Sequence, residues 1–190
     1  MTRAEPGGSF CLMNILGHFK TVTHHRHAVI RLCFRVGIGW QGLFHDLSKY
    51  SPQEFWIGAK YYQGNRSPND RERELYGYSL AWMHHKGRNR HHFEYWTDFD
   101  PKTREYKPVE MPLRYVKEMF CDRIAASQTY RGKDYDPRYP LEYFRRGNTR
   151  AKLHPKTADL LEDWLIRLAE DGEDAAIAHI RSLKCPKTHH

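Results

Sequence analysis

The sequence predicts an all-α fold, and three observations carry that expectation. Apolar residues recur at steps of three and four through most of the 190-residue chain, the spacing of a buried helix face. The segments patterned this way are closed by glycine or proline where helices end. No alternating apolar and polar run of strand length, bounded by turn residues, stands between them.

Taken in order, residues 1–17, with Pro6, Gly7 and Gly8, read as a loose leader. A helix is expected over residues 18–36, stopped by Gly37 and Gly39. A second, short helix spans 41–50. Ser51-Pro52-Gln53-Glu54 then supplies a cap, a proline at the first helical position and a glutamate three residues after the cap, opening a helix that runs to about residue 63. Residues 65–69 form a loop, and Asp70 opens a helix that reaches residue 85 and ends near Gly87. Residues 89–97 read as a helical turn or short helix, and 98–112, with three prolines, as a surface connection. A long helix over 113–130 is closed by Gly132. After a Pro/Asp-rich loop at 133–140 come a short helix at 141–146 and two more at 156–170 and 173–183, separated by Asp171-Gly172. The whole reads as one domain over 18–190. Its chemistry lies in about 20–130, with additional C-terminal helices over 141–183. Leu160, Leu161, Trp164, Leu165 and Leu168 form a stripe expected to pack on the earlier helices.

Composition narrows the class of function. Apolar residues make up 39% and aromatics 14%, so the core leans on Tyr, Trp and Phe. A net charge of +8 favours anionic partners such as nucleotides or phosphorylated metabolites. The basic residues are scattered, with no run of five, which argues against a dedicated nucleic-acid module. Four cysteines without CxxC spacing exclude a zinc ribbon and a redox dithiol. No stretch approaches the ~20 apolar residues of a membrane span, and no secretory signal is evident. A reducing cytoplasm is the expected compartment.

Thirteen histidines are the compositional anomaly, crowded at 24–27 and 84–92 with His45 between. Val22, His25, Val29, Leu32 and Val36 share one stripe, so His25 turns inward while His24 and His27 do not. An inward histidine is either a hydrogen-bonded core residue or a metal ligand. Leu75, Tyr78, Trp82 and His85 step in the same way and turn His85 inward. His92 aligns with Tyr95 and Trp96, which favours it over His91, although either or both could serve. Asp122, between Glu118 and Ala126, either pairs with Arg114 or Arg123 or approaches a cation. His45-Asp46 stands between large apolar residues, Leu43, Phe44 and Leu47. A buried carboxylate costs several kcal/mol unless it is paired or coordinates a metal. A divalent cation would offset Asp46 and bind the adjacent imidazole, and Lys49 would place a positive charge near a bound substrate.

These residues resemble the HD-domain metal-dependent phosphohydrolases, whose pattern is H…HD…D on a helical core: His25, His45-Asp46 followed by Lys49, and Asp122. The stretch from His85 to Trp96, with His-Asp-Leu-Ser-Lys, is similar to a group of small uncharacterised bacterial proteins. The resemblance covers roughly 20–130. It implies one divalent transition metal on His25, His45, Asp46 and Asp122. A second would sit on His85 and His92 (or His91), with Asp46 bridging; Mn, Fe, Co, Ni and Zn are not distinguished. It also implies catalytic roles for Asp46 and Lys49, and a small anionic, nucleotide-like phosphoester oriented by Lys49, Arg88, Asn89 and Arg90. Glu54 and Glu94 are candidate general bases, each better read as a capping or surface carboxylate. A di-iron oxygenase on the same ligands is the alternative. A third reading, a nucleic-acid or nucleotide binder without catalysis, rests on Arg138-Tyr139 and Tyr143-Phe144-Arg145-Arg146. A homodimer is left open.

Overall fold

The computed structural model describes residues 14–186 and is predominantly helical, with nine α-helices and one two-stranded hairpin among those residues. Helix α1 (Ile15–Arg35) begins at Asn14, whose side-chain oxygen accepts from the Gly17 amide at 2.7 Å. Residues 15–17 are therefore helical and not leader; residues 1–13 lie outside the described region. The expected stripe is the buried one: Val22, His25, Val29, Leu32 and Val36 all face inward.

The short helix expected over 41–50 is not continuous. Helix α2 (Gly39–Leu43) stops before the His-Asp doublet, Asp46 takes a left-handed conformation with φ 53°, and a 3-10 turn covers Leu47–Tyr50. Arg26 on α1 explains the break. Its guanidinium donates to the carbonyls of Leu43 and His45, the latter at 3.1 Å, which a continuing helix would commit to amides further along. Aspartate is among the few side chains that tolerate this conformation.

Helix α3 (Pro52–Lys60) starts where expected, but Ser51 makes no side-chain cap bond. Residues 70–85 are two helices rather than one, α4 (Pro68–Tyr76) and α5 (Leu80–Lys86). Gly77, with φ 82°, turns the chain between them. Ser79 then caps α5 by accepting from the Trp82 amide at 3.0 Å, and buried Glu72 accepts from Ser79 Oγ and the Leu80 amide. The stripe drawn through Leu75 and Tyr78 to His85 thus crosses a break, and both Leu75 and Tyr78 are exposed. His85 turns inward with Ala81, one helical turn earlier on α5.

The turn expected over 89–97 is a 3-10 segment at Phe93–Tyr95. Residues 98–112 contain a hairpin and not a bare connection: β1 (Thr97–Asp100) and β2 (Glu105–Pro108), antiparallel with Thr97 opposite Pro108. Neither strand buries a face, so there is no apolar alternation to read. The exposed Phe99–Tyr106 pair and an ion pair from Lys107 to Asp100 at 2.9 Å span the two strands.

Helix α6 (Leu113–Arg131) packs along α1, and α7 (Tyr139–Arg146), α8 (Pro155–Asp171) and α9 (Glu173–Ser182) close the far side. One core joins them: Val29, Leu32 and Val36 from α1, Phe120 and Ile124 from α6, and Leu161, Trp164, Leu165 and Leu168 from α8. Phe120 and Trp164 meet edge to face at 6.0 Å. Leu160 packs against the core only in part. Buried Lys117 donates to the carbonyls of Val36 and Leu183, tying the ends of α1 and α9 together. The C-terminal helices are thus the platform that fixes α1 and α6 side by side.

Leu161 is fully buried in this platform. Its replacement, Leu161→Ala, is expected to lower unfolding free energy by about 2–5 kcal/mol, as for other buried leucines. Denaturant unfolding checks this, and a loss under 1 kcal/mol would contradict the packing described.

Candidate metal centre

Four parts of the chain converge on one buried point. Helix α1 brings His25. The turn after α2 brings His45 and Asp46. Helix α6 brings Asp122, on the face that also carries Glu118. The segment from α5 to the following turn adds His85, His91 and His92. Their ligand atoms form two groups, His25, His45, Asp46 and Asp122, and Asp46, His85, His91 and His92, within each of which all atoms lie inside 4.8 Å of one another.

Asp46 belongs to both groups, and its two oxygens divide between them. Oδ2 lies 3.8 Å from His25 Nε2 and 3.3 Å from His45 Nε2. Oδ1 lies 3.3 Å from His85 Nε2 and 3.4 Å from His91 Nε2. Asp122 Oδ1 completes the first group, 3.0 Å from His25 Nε2. Neither Asp46 oxygen and none of the five Nε2 atoms has a hydrogen-bond partner within the protein, although all are buried. These atoms point at shared spaces rather than at one another. Lys49 Nζ sits 2.6 Å from Asp46 Oδ2 as an ion pair, outside hydrogen-bond alignment.

A second ring of side chains fixes the imidazoles. Glu118 Oε1 accepts from His45 Nδ1 at 2.8 Å and approaches His91 Nδ1 at 3.2 Å. Glu54 accepts from His84 Nδ1 at 2.6 Å and His85 Nδ1 at 2.7 Å. A carboxylate can only accept, so each of these histidines carries its proton on Nδ1 and leaves Nε2 free for a cation. Ser48 and Asn89 lie beside His85, Asn89 donating to Ser48 Oγ at 2.8 Å. Trp82 packs against His92, with ring centroids 4.8 Å apart.

The electrostatics follow from this crowding. Burial pushes the carboxyls up, yet His45, Lys49 and His85 hold Asp46 well below the usual range, and His25 and His45 do the same for Asp122. Burial also opposes ionisation of Glu118, but His45 and His91 bring it down to about 2. For His45 burial is outweighed by Asp46, Asp122 and Glu118, and its pKa rises well above normal. His85 is raised, against burial, by Asp46 and Glu54. His25 is lowered by burial and Lys49, and His92 by burial and its neighbours His91 and His85. Lys49 is raised, because Asp46 and Asp122 outweigh burial.

Of the residues singled out from sequence, the structure gathers His25, His45, Asp46, Lys49, His85, Asp122 and both His91 and His92. Asn89 stands behind His85. Arg88 reaches the His84 carbonyl on the surface, and Arg90 lies over Tyr95 and donates to Tyr115. Glu54 is occupied with two histidines, and Glu94 has one oxygen buried without a partner. Arg138 and Arg145 pair with Asp136 and Glu162. The sequence reading passed over Glu118 and Arg26. Glu118 could have been found, since it lies one turn before Asp122 on the same helix face. Arg26 had no sequence signal, because its partners are backbone carbonyls.

A protein-family model described as a family of unknown function, DUF5662, matches residues 14–167. No curated protein and no solved structure matches the chain. Among the described residues no helix is long and apolar enough to cross a membrane.

With Nδ1 protonated toward Glu118 or Glu54, a cation on Nε2 competes with the second proton of the imidazolium, which neighbouring carboxylates favour on His45 and His85. These pKa values are raised, so the competing protons are present at neutral pH and leave as pH rises through them. Divalent-metal affinity is therefore expected to increase as pH rises above the usual imidazole range, with proton release. Calorimetry in buffers of different ionisation enthalpy measures both, and pH-independent affinity without proton release would contradict the assignment.

Proposed function

We propose that this chain, which belongs to the DUF5662 family, is a metal-dependent hydrolase of small anionic phosphoesters. The observation that carries the reading is the double set of buried, unpartnered ligand atoms sharing Asp46, with a lysine ammonium at its edge. His25, His45, Asp46 and Asp122 would hold one divalent cation, and Asp46, His85, His91 and His92 a second. Such a pair supplies Lewis acidity, bringing water toward deprotonation near neutral pH and offsetting charge on a phosphoryl oxygen.

The chain's own residues do the rest. His45, Asp46, His85 and His91 are nearly inaccessible, whereas the Asp122 side chain is 19% exposed and that of Lys49 is 30% exposed. Substrate therefore approaches from the Asp122 and Lys49 side. Lys49 keeps its charge in this setting and orients a phosphoryl oxygen toward the first ligand group. Glu54 and Glu118 hold the imidazoles rigid, so that little reorganisation accompanies the developing charge. The buried wall behind them excludes bulk water from the opposite side.

A second reading has one observation in its favour. Three imidazoles meet one carboxylate in the second group, a nitrogen-rich set that suits iron and would serve an oxygenase. Iron-loaded protein that consumed oxygen and left phosphoesters intact would select it.

Lys49→Met tests the hydrolytic reading, with the manganese- or cobalt-loaded protein assayed on phosphomonoesters, phosphodiesters and nucleotides. Metal content is expected to stay as in the native protein, while kcat/KM falls about 100-fold or more through loss of a charge aimed at the reacting group. A variant of unchanged kcat/KM would remove Lys49 from the reaction. A loaded native protein inactive on every phosphoester class would overturn the proposal itself.

A further inference from the structure

We infer that Glu118 is a positioning residue that joins the two halves of the centre, so that they take up metal as a unit. The inference rests on the metal-binding reading above and goes beyond it. Asp46 would be shared between the halves as a ligand; Glu118 is shared on the other side of the rings, at the Nδ1 atoms of His45 and His91.

The geometry is specific. A single oxygen, Oε1, lies 2.8 Å from His45 Nδ1 and 3.2 Å from His91 Nδ1, and these two imidazoles belong to different ligand groups. Their rings are 4.3 Å apart and both are buried. Glu54 offers a contrast, since of the candidate ligands it holds only His85, in the second group. The other Glu118 oxygen is fixed by Gln41 of α2, whose amide also donates to the Arg114 carbonyl. Glu118 itself is buried, 5% exposed.

The consequence follows from what a histidine must do to bind a cation. Nδ1 must carry the proton and Nε2 the lone pair, and the ring must point at the ion. Fixing His45 on a first cation locks its Nδ1 proton toward Oε1 and holds the Glu118 carboxylate in place. That same oxygen then presents His91 in the tautomer and orientation the second cation needs. The ordering of Glu118 is thus met once, on the first event, and the second ion enters a half already organised. Glutamine at this position would break the arrangement. Its amide has one acceptor oxygen and one donor nitrogen, so rotation can set a donor against an imidazole and favour the wrong tautomer.

Titration of the metal-free protein with Mn²⁺, followed by electron paramagnetic resonance and by metal content after gel filtration, tests the idea. In the native protein the isotherm is expected to be cooperative, with exchange-coupled pairs rather than isolated ions at half saturation. In Glu118→Gln both binding steps should weaken by about 10–100-fold, the usual cost of losing an outer partner of a metal-bound histidine, and isolated ions should accumulate. Glu54→Gln should weaken one step only. A residue that merely stabilised the fold would lower the melting temperature and leave the order of loading alone. If Glu118→Gln does not fold, Gln41→Leu keeps the charge, loosens its anchor and should still separate the two steps.

Cooperative loading that is unchanged in the folded Glu118 variant, or in Gln41→Leu when Glu118→Gln does not fold, would overturn the inference and leave the metal centre standing. So would isolated ions at half saturation in the native protein. A native protein that takes up no Mn²⁺, Fe²⁺, Co²⁺ or Zn²⁺ would instead overturn the metal-binding reading on which it rests.

Discussion

Asp46 places a full negative charge in the interior, 1% exposed, with no hydrogen bond from the protein to either oxygen. An isolated ion so placed costs several kcal/mol even after relaxation. Lys49 offsets part of that cost, but it reaches Oδ2 only, and Oδ1 faces the imidazoles of His85 and His91. The spaces on both sides of the carboxylate are lined by groups that could hold a cation, which would offset the remaining charge. The αL backbone at Asp46, the break after α2 and the carbonyls held by Arg26 all serve to aim this one side chain.

The scaffold answers the same demand at longer range. A centre drawn from α1, α6 and two turns needs its helices fixed to within a fraction of an ångström. The C-terminal helices supply this by covering the apolar sides of α1 and α6, so the ligand-bearing faces are held against each other from behind. Lys117 adds a polar tie at the far end of the same seam. Glu54 and Glu118 do locally what α8 and α9 do globally, setting ring orientations through the Nδ1 atoms of His45, His85 and His91.

Helix periodicity made the fold class and His25 legible, because α1 is long and buries one clean stripe. The long α6 was read equally well, and with it Asp122. Errors came where short elements obey contacts from elsewhere. The pattern around the doublet predicts helix, because nothing in its own residues announces that Arg26 will take its carbonyls. His85 was assigned inward from a stripe that runs through Gly77, where the helix breaks; the assignment survives on Ala81 and His85 alone. The hairpin was invisible because its strands bury no face. Alignment with Tyr95 and Trp96 favours His92 over His91 and leaves both open. His91 lies in a turn closed by the His92 amide on the Asn89 carbonyl at 3.1 Å, His92 is extended before the 3-10 segment, and both reach the centre. Glu54 illustrates a different limit. Its place after Ser51-Pro52 matched a helix-capping pattern, and only the packing of α3 on α5 shows that the carboxylate has gone to the histidines instead.

Metal analysis by mass spectrometry on protein purified without chelator tests the central claim most directly, with Asp46→Ala prepared in parallel. The account predicts two divalent ions per native chain, one for each ligand group, and loss of both from the folded variant, because the bridging carboxylate belongs to each. A native protein that remains metal-free after reconstitution, or an Asp46→Ala protein that keeps its full complement, would contradict it.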